Sequence, residues 1–413
     1  MTNYKKQLLS VLASGAVMLN TVLPVYAGTV IEISGNGSDS NNTANVSLNT
    51  STNVVQNNTA EIENYVDAEA NTGGNDANDN TGGDVDVDTG DATVNVSVAN
   101  AVNSNSASVD CCPQGDTNVL ISGNGTHSDN DVDFDQNSTI NVFQDNYADI
   151  DNDVYADAKT GKNDANDNTG GGVSIDTGDA EVNVEVSNTA NANWAQVGGD
   201  GQGGQLSARI VGNGSNSDNL IDLYLDSAIL VKQDNDAEIE NYVDADAKTG
   251  KNDANDNTGG DVSIDTGDAE VDVSVDNMVN FNWADVDCGC LLDLLAKIAD
   301  NGTYTDNDIK LNLDDELEVF QDNQCGGKGE EECKNDVYAD AKTGKNDAED
   351  NTGSVDGGDP SIDTGNAETA VDVSNSGNVN SYGADSEQDW PDFDFNFNLS
   401  LSWEQLAQLL GLL

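Results

Sequence analysis

Aspartate and asparagine on alternate residues beside glycine are the groups in this chain best suited to chemistry. Asp164, Asn166 and Asn168 are spaced like the first three ligands of an EF-hand loop, with Gly170 close behind. The set recurs as Asp76, Asn78 and Asn80, as Asp253, Asn255 and Asn257, and as Asp347, Glu349 and Asn351. An EF-hand wants glycine at position six and a bidentate glutamate at twelve. Here the glycine falls at seven and Ile175 holds the twelfth place, so the motif is not an EF-hand. It still gathers hard oxygen ligands next to flexible glycines, which suits Ca²⁺. Asp176 and Asp179 of the following DTGD turn, and Asp265 and Asp268 in the next copy, would complete a site if that turn folds back. Ca²⁺ is thus the expected cofactor. The competing reading is an Asn/Asp turn that satisfies its own backbone.

Other reactive types are sparse. Cys325 and Cys333 bracket a polar insertion, CGGKGEEEC, and are expected to form a disulfide. Cys111-Cys112 and Cys288-Gly-Cys290 hold matching places in the first and third copies; in an extended array each pair would close locally or join two molecules. Six of the fourteen Lys and Arg lie in three KTGK motifs, Lys159/Lys162, Lys248/Lys251 and Lys342/Lys345. That spacing is not a phosphate loop, and pairing with neighbouring carboxylates is the expectation. Asn36, Asn124, Asn213 and Asn301 begin formal glycosylation sequons, although a plain Asn-Gly turn explains them as well. The single histidine, His127, belongs to no recurring nucleophile–base set, so no enzymatic activity is expected.

These groups are carried on a repeat. ADAKTGKNDANDNTGG occurs letter for letter at 156–171 and 245–260, with close relatives at 68–83 and 339–353. The Asn of NTGG stands at Asn80, Asn168, Asn257 and Asn351, in steps of 88, 89 and 94 residues. Fixed-period self-similarity marks a repeat architecture. The divisions expected are 28–117, 118–205, 206–290 and 291–385, followed by a C-terminal segment at 386–413.

Residues 1–27 read as an export signal, with Lys5 and Lys6 ahead of an apolar stretch from Leu8 to Leu23 and Val25-Tyr26-Ala27 as the cleavage site. The protein is therefore expected to be secreted, at a cell surface or free. Its disulfide-compatible cysteines agree, and no other stretch is apolar enough for a transmembrane span. Removing the signal takes two lysines and shifts the formal charge from −63 to −65. Such a charge argues against nucleic acid and anionic membranes as partners. It would also suit a disordered chain, but every copy keeps a strict alternation such as Val94, Val96 and Val98 against Asn95 and Ser97. Period-two runs of β-branched residues signal strands.

In the second copy the strands expected are 119–122, 131–134, 139–143, 148–158, 173–175 and 180–187, six or seven short strands per copy. Two all-β architectures fit: a repetitive β-solenoid, or tandem β-sandwich domains. The first copy offers Tyr65 alone as a central aromatic, too little for a free-standing sandwich of this size, so the solenoid is preferred. Leu291 to Ile298 reads as a small amphipathic helix. Phe393, Phe395, Phe397, Leu399 and Leu401 form an alternating strand, and Ser402 opens a short C-terminal helix. Together they form a cap or a docking segment for a surface or matrix partner.

The pattern TGxNxAxxNTGG followed by IDTGDA resembles repeats of uncharacterised secreted bacterial surface proteins of the β-helix type. The resemblance covers most of residues 28–385 and implies a location and a shape. A looser likeness to haemolysin-type calcium repeats lacks their glycine-rich nonapeptide. The expected function is an extracellular structural or adhesive protein, self-associating as a cell-surface or fibre subunit with an acidic, cation-binding surface. The alternatives are a monomeric secreted calcium-binding protein and, third, a β-helix enzyme acting on polysaccharide.

Overall fold

Alternating small apolar and polar residues give each strand one dry face, and in this chain the dry faces of facing strands pack against each other while neighbouring copies pair edge to edge. The computed structural model describes residues 18–22, 28–111, 115–198, 202–288, 291–326, 333–353 and 360–383. After a short strand β1 (Met18–Val22), each copy forms one rung of a β-solenoid. Rung 1 consists of β2 (Thr29–Ser34), β3 (Asn41–Asn71), β4 (Val85–Thr89) and β5 (Ala92–Val109). Rung 2 consists of β6 (Thr117–Ser122), β7 (Asp129–Lys159), β8 (Val173–Thr177) and β9 (Ala180–Gly198). Rung 3 consists of β10 (Gln202–Val211), β11 (Asp218–Lys248), β12 (Val262–Thr266) and β13 (Ala269–Asp287). Rung 4 consists of β14 (Leu291–Ala299), β15 (Asp306–Cys325), β16 (Lys334–Lys342), β17 (Ser361–Thr364) and β18 (Ala367–Tyr382).

Equivalent strands pair in parallel in the order rung 1, 2, 3, 4, giving four sheets. β3 and β7 match residue for residue along all 31 positions, and so do β7 and β11. The six or seven short strands expected per copy are therefore merged into a few long ones: near-identical copies stacked in register let the backbone ladder run through positions whose own sequence would break it.

Each rung is a flattened loop. Its floor is the long strand, and the roof is shared between the short first strand and the last. Val94, Val96 and Val98 of the roof pack in one apolar cluster with Val66, Ala68 and Ala70 of the floor, and the matching residues of the other rungs join them. Ile31 and Ile33 meet Ala44, Val46 and Leu48 in a second cluster. A rung 31 residues wide at about 3.3 Å per residue extends roughly 100 Å, whereas three spacings of about 4.8 Å put the four rungs within about 15 Å along the axis. The long dimension thus lies along the strands and not along the repeat array, a correction to the extended array expected from sequence.

The gaps between apolar clusters are filled by asparagine. Asn64, Asn152, Asn241 and Asn335 on the floor donate in succession at 2.6–2.8 Å. They interlock with Asn100, Asn188, Asn277 and Asn375 of the roof, which form their own column at 2.7 Å. A glutamine column, Gln56–Gln144–Gln233–Gln321, runs beside them at 2.7–2.8 Å. An amide has both donors and acceptors, so it satisfies the rung above and the rung below at once. This lets a chain with little aromatic mass hold an ordered interior.

Two further expectations are corrected. Residues 291–299 form strand β14, not a helix, because Leu294, Ala296 and Ile298 pair with β10 and drop into the cluster of Leu206, Ala208 and Ile210. Cys111 and Cys288 are bonded to each other with Cα atoms 5.9 Å apart. Two rung spacings would be about 9.6 Å, and Val197 still lies between Val109 and Val286, so the first and third rungs converge just past the end of the ladder. The Cys325–Cys333 disulfide is present as expected, with Cα atoms 5.7 Å apart. It closes the insertion that splits the rung 4 floor into β15 and β16, and both sulfurs pack against the Ala60 and Ile62 column. The strand and helix expected in 391–413 lie outside the described residues. No helix among the described residues is long and apolar enough to cross a membrane.

Candidate functional site

The candidate ligands of the sequence form columns along the axis, each column built from one residue type repeated on successive rungs. Asp76, Asp164, Asp253 and Asp347 bridge one another in parallel. Burial, then Asp164 and Asp347, raise the Asp253 carboxyl above its ordinary 3.8. Asp176 is raised too, by burial and then by Asp265 and Asp88 of the neighbouring rungs. Asp131, Asp133, Asp151 and Asp244 are shifted the same way, burial coming first and adjacent carboxylates after it. Stacking identical copies therefore places like charges on top of one another.

The amide ligands are largely engaged elsewhere. The side-chain oxygen of Asn168 accepts from the backbone and side-chain N–H of Asn80, and Asn257 accepts from the backbone N–H of Asn168. Asn78 accepts from the Asn166 backbone, Asn166 from Asn255, and Asn255 from Glu349. In the second turn the Asp179 backbone donates to Asp91, Asp268 to Asp179 and Asn366 to Asp268. The amide oxygens of the expected metal shell, with the Asp179 and Asp268 carboxylates, are thus acceptors for a neighbouring rung. Among the described residues no three His, Cys, Asp or Glu side chains converge as a metal cluster.

The sequon asparagines have a similar fate. Asn124 and Asn213 are buried, and their oxygens receive the backbone N–H of Asn36 and Asn124. These columns explain the GNG motif without a glycan.

Two features were not found from sequence. One is a column of outward tyrosines, Tyr65, Tyr155, Tyr242 and Tyr338, with ring centroids 5.5–5.7 Å apart. The residue read as a central aromatic, Tyr65, is 67% exposed. The signal for the column was a Tyr within two residues of the same place in all four copies. The other is the open upper face of rung 4. Ile309, Leu311, Leu313, Leu317 and Phe320 are each about half exposed on a strand with one edge unpaired among the described residues.

At the opposite end, the stretch Asn41–Ala60 of β3 contains no charged residue. Its rung 4 counterpart carries Asp306, Asp308, Asp314, Asp315, Glu316, Glu318 and Asp322, with Lys310 the only cation. Comparison with known protein families, curated proteins and solved structures finds nothing that matches this chain.

Proposed function

We propose that the protein is an extracellular structural or adhesive subunit that assembles end to end, rung 4 of one copy seating on rung 1 of the next. The observation that carries this reading is the rung 4 face, a long strand edge that no described residue pairs and that bears large aliphatic side chains, opposite an end whose matching strand is uncharged over Asn41–Ala60. An open, apolar strand edge is a template for further β-pairing. Head-to-tail stacking would continue each amide column, Gln321 over Gln56 and Asn375 over Asn100. Joining two rung 4 ends would place acid on acid. Non-closing contacts of this kind build filaments. The edge of β5 at Asn105–Val109 is taken by β1, which lies inside the expected export signal, so removing that signal frees the edge. Cations collected along the carboxylate columns would relieve the repulsion and rigidify the assembly.

Glycine supplies the test. A Cβ on Gly73, Gly161 or Gly250 would fall 1.9–2.0 Å from a carbonyl of the next rung, whereas Gly344, in the same place on rung 4, has nothing within 4 Å. Gly344→Ala should leave the melting temperature of residues 28–413 unchanged while abolishing filaments seen by negative-stain microscopy and sedimentation. Filaments that tolerate this change refute the stacking. A wild-type chain that stays monomeric, and polymerises only after residues 386–413 are deleted, would make that segment the cap of rung 4.

A further inference from the structure

The three KTGK motifs, read from sequence as partners for nearby carboxylates, divide in the structure into two unlike columns. Lys159, Lys248 and Lys342 pair with one another along the ladder. Each is held by the acid two residues before it: Lys159 by Asp157 at 2.8 Å, with Glu69 at 3.4 Å, Lys248 by Asp246 and Lys342 by Asp340. Lys162, Lys251 and Lys345 are also stacked, the Lys162 backbone donating to Gly250 and Lys251 to Gly344 at 3.1 Å. These three are exposed and make no ion pair among the described residues.

The second column is kept at a cost. All three residues adopt left-handed backbone, with φ of 62°, 65° and 65°, where rung 1 has Gly74 at 76°. A side chain there costs roughly 1 kcal/mol more than glycine. Like charges about one rung apart also repel one another. Between the two columns lies a cleft of about 330 Å³ lined by all six lysines. In a protein of net charge −63 this gathers six lysines, three of them paired with acids, around one cleft.

We propose that this cleft binds a linear chain of oxyanions, phosphate or sulfate groups on a polymer lying along the solenoid axis. Lys162, Lys251 and Lys345 would each take one anionic group, at intervals set by the rungs, with the acid-paired column as the opposite wall. A lysine ammonium meets such oxygens as a point charge and gains most where several act together. A monovalent anion meets the repulsion of the whole molecule for the return of one contact, so selectivity for multivalent ligands follows.

Titration calorimetry of the full chain with inorganic tripolyphosphate, at fixed ionic strength, tests the site. One ligand should bind per chain, at least tenfold more tightly than orthophosphate. The triple variant Lys162→Gln, Lys251→Gln, Lys345→Gln should weaken tripolyphosphate at least tenfold, while Lys232→Gln with Lys310→Gln leaves it unchanged. Melting curves show whether both variants are folded. Dextran sulfate that displaces tripolyphosphate extends the site to sulfated polymers, and failure to displace restricts it to phosphate; either result upholds the cleft. No binding by the wild-type chain overturns the proposal, as does equal loss in the two variants. So does a triple variant that melts lower but binds as before, which would make these lysines charge compensation alone.

Discussion

At the rung 1 end Val46, Val96 and Val98 are 7, 9 and 8% exposed; their rung 4 counterparts Leu311, Val371 and Val373 are 46, 49 and 41% exposed. The glycines show the same polarity. The glycine of the TGK turn points its missing Cβ at the rung above, so Gly344 alone faces open space. The glycine of the GNG turn points at the rung below: Gly125, Gly214 and Gly302 would clash, and Gly37 of rung 1 is free. A stack of near-identical units thus has two chemically different ends. One has small side chains and an uncharged stretch at Asn41–Ala60, the other large aliphatic side chains and seven acids along the matching stretch.

The largest expected effect separates the two disulfides. Cys111–Cys288 closes 177 residues and ties rung 1 to rung 3, whereas Cys325–Cys333 closes 8 within rung 4. Replacing the first pair by serine should cost about 4 kcal/mol and the second about 2 kcal/mol, since loop-closure entropy grows with length. Urea denaturation measures both, and equal losses would mean that the long link does not hold the stack together.

Next comes the glycine comparison. Gly161→Ala drives a methyl into the Gly250 carbonyl and should lower stability by about 3 kcal/mol, while Gly344→Ala in isolated molecules should stay within about 0.5 kcal/mol. If the two variants melt together, the polarity of the rungs is wrong.

The amide columns give a smaller contrast. Asn188→Ala leaves buried partners unsatisfied on both sides and should cost about 2 kcal/mol; Asn375→Ala, with a neighbour on one side only, should cost about 1 kcal/mol. Chemical denaturation of the pair checks this ratio.

The mildest effect is that of pH. Asp131, Asp133, Asp151, Asp176, Asp244 and Asp253 are all raised above 3.8, so the folded chain favours their protonated forms. Their contribution is fully present below that ordinary value and is lost as pH rises through the shifted ones. The melting temperature should therefore climb as pH falls from 7.5 towards 4.5, the reverse of ordinary acid denaturation. Millimolar Ca²⁺ should raise it at pH 7.5 and have less effect as pH falls, because protons and the cation compete for the same carboxylates. A melting temperature indifferent to both Ca²⁺ and chelator would remove the cation from the reading.

Much of the fold was legible because repetition is a statement about space. The alternation in Val94–Val98 gave strands, the fixed step gave stacking, and scarcity of aromatics favoured shared over private cores. Residues 291–299 misled because Leu291 to Ile298 has helical spacing, and only the waiting edge of β10 makes it a strand. Asn168 and Asn257 carry a related ambiguity. A column of acceptors and a metal shell need the same oxygens on alternate residues, and one copy taken alone does not distinguish them.

The sequence by itself determined the repeat, the dry faces of the strands, the excess of carboxylate and the Cys325–Cys333 pair, since each follows from local pattern or short spacing. Only the tertiary structure decided that one copy is one rung, that Cys111 meets Cys288, that the lysines form one acid-paired and one exposed column, and that no described residue pairs the outer edge of rung 4. The physical reason is that each of these depends on the register between copies about 88 residues apart in the chain. The backbone ladder fixes that register through hydrogen bonds that every residue type except proline can make.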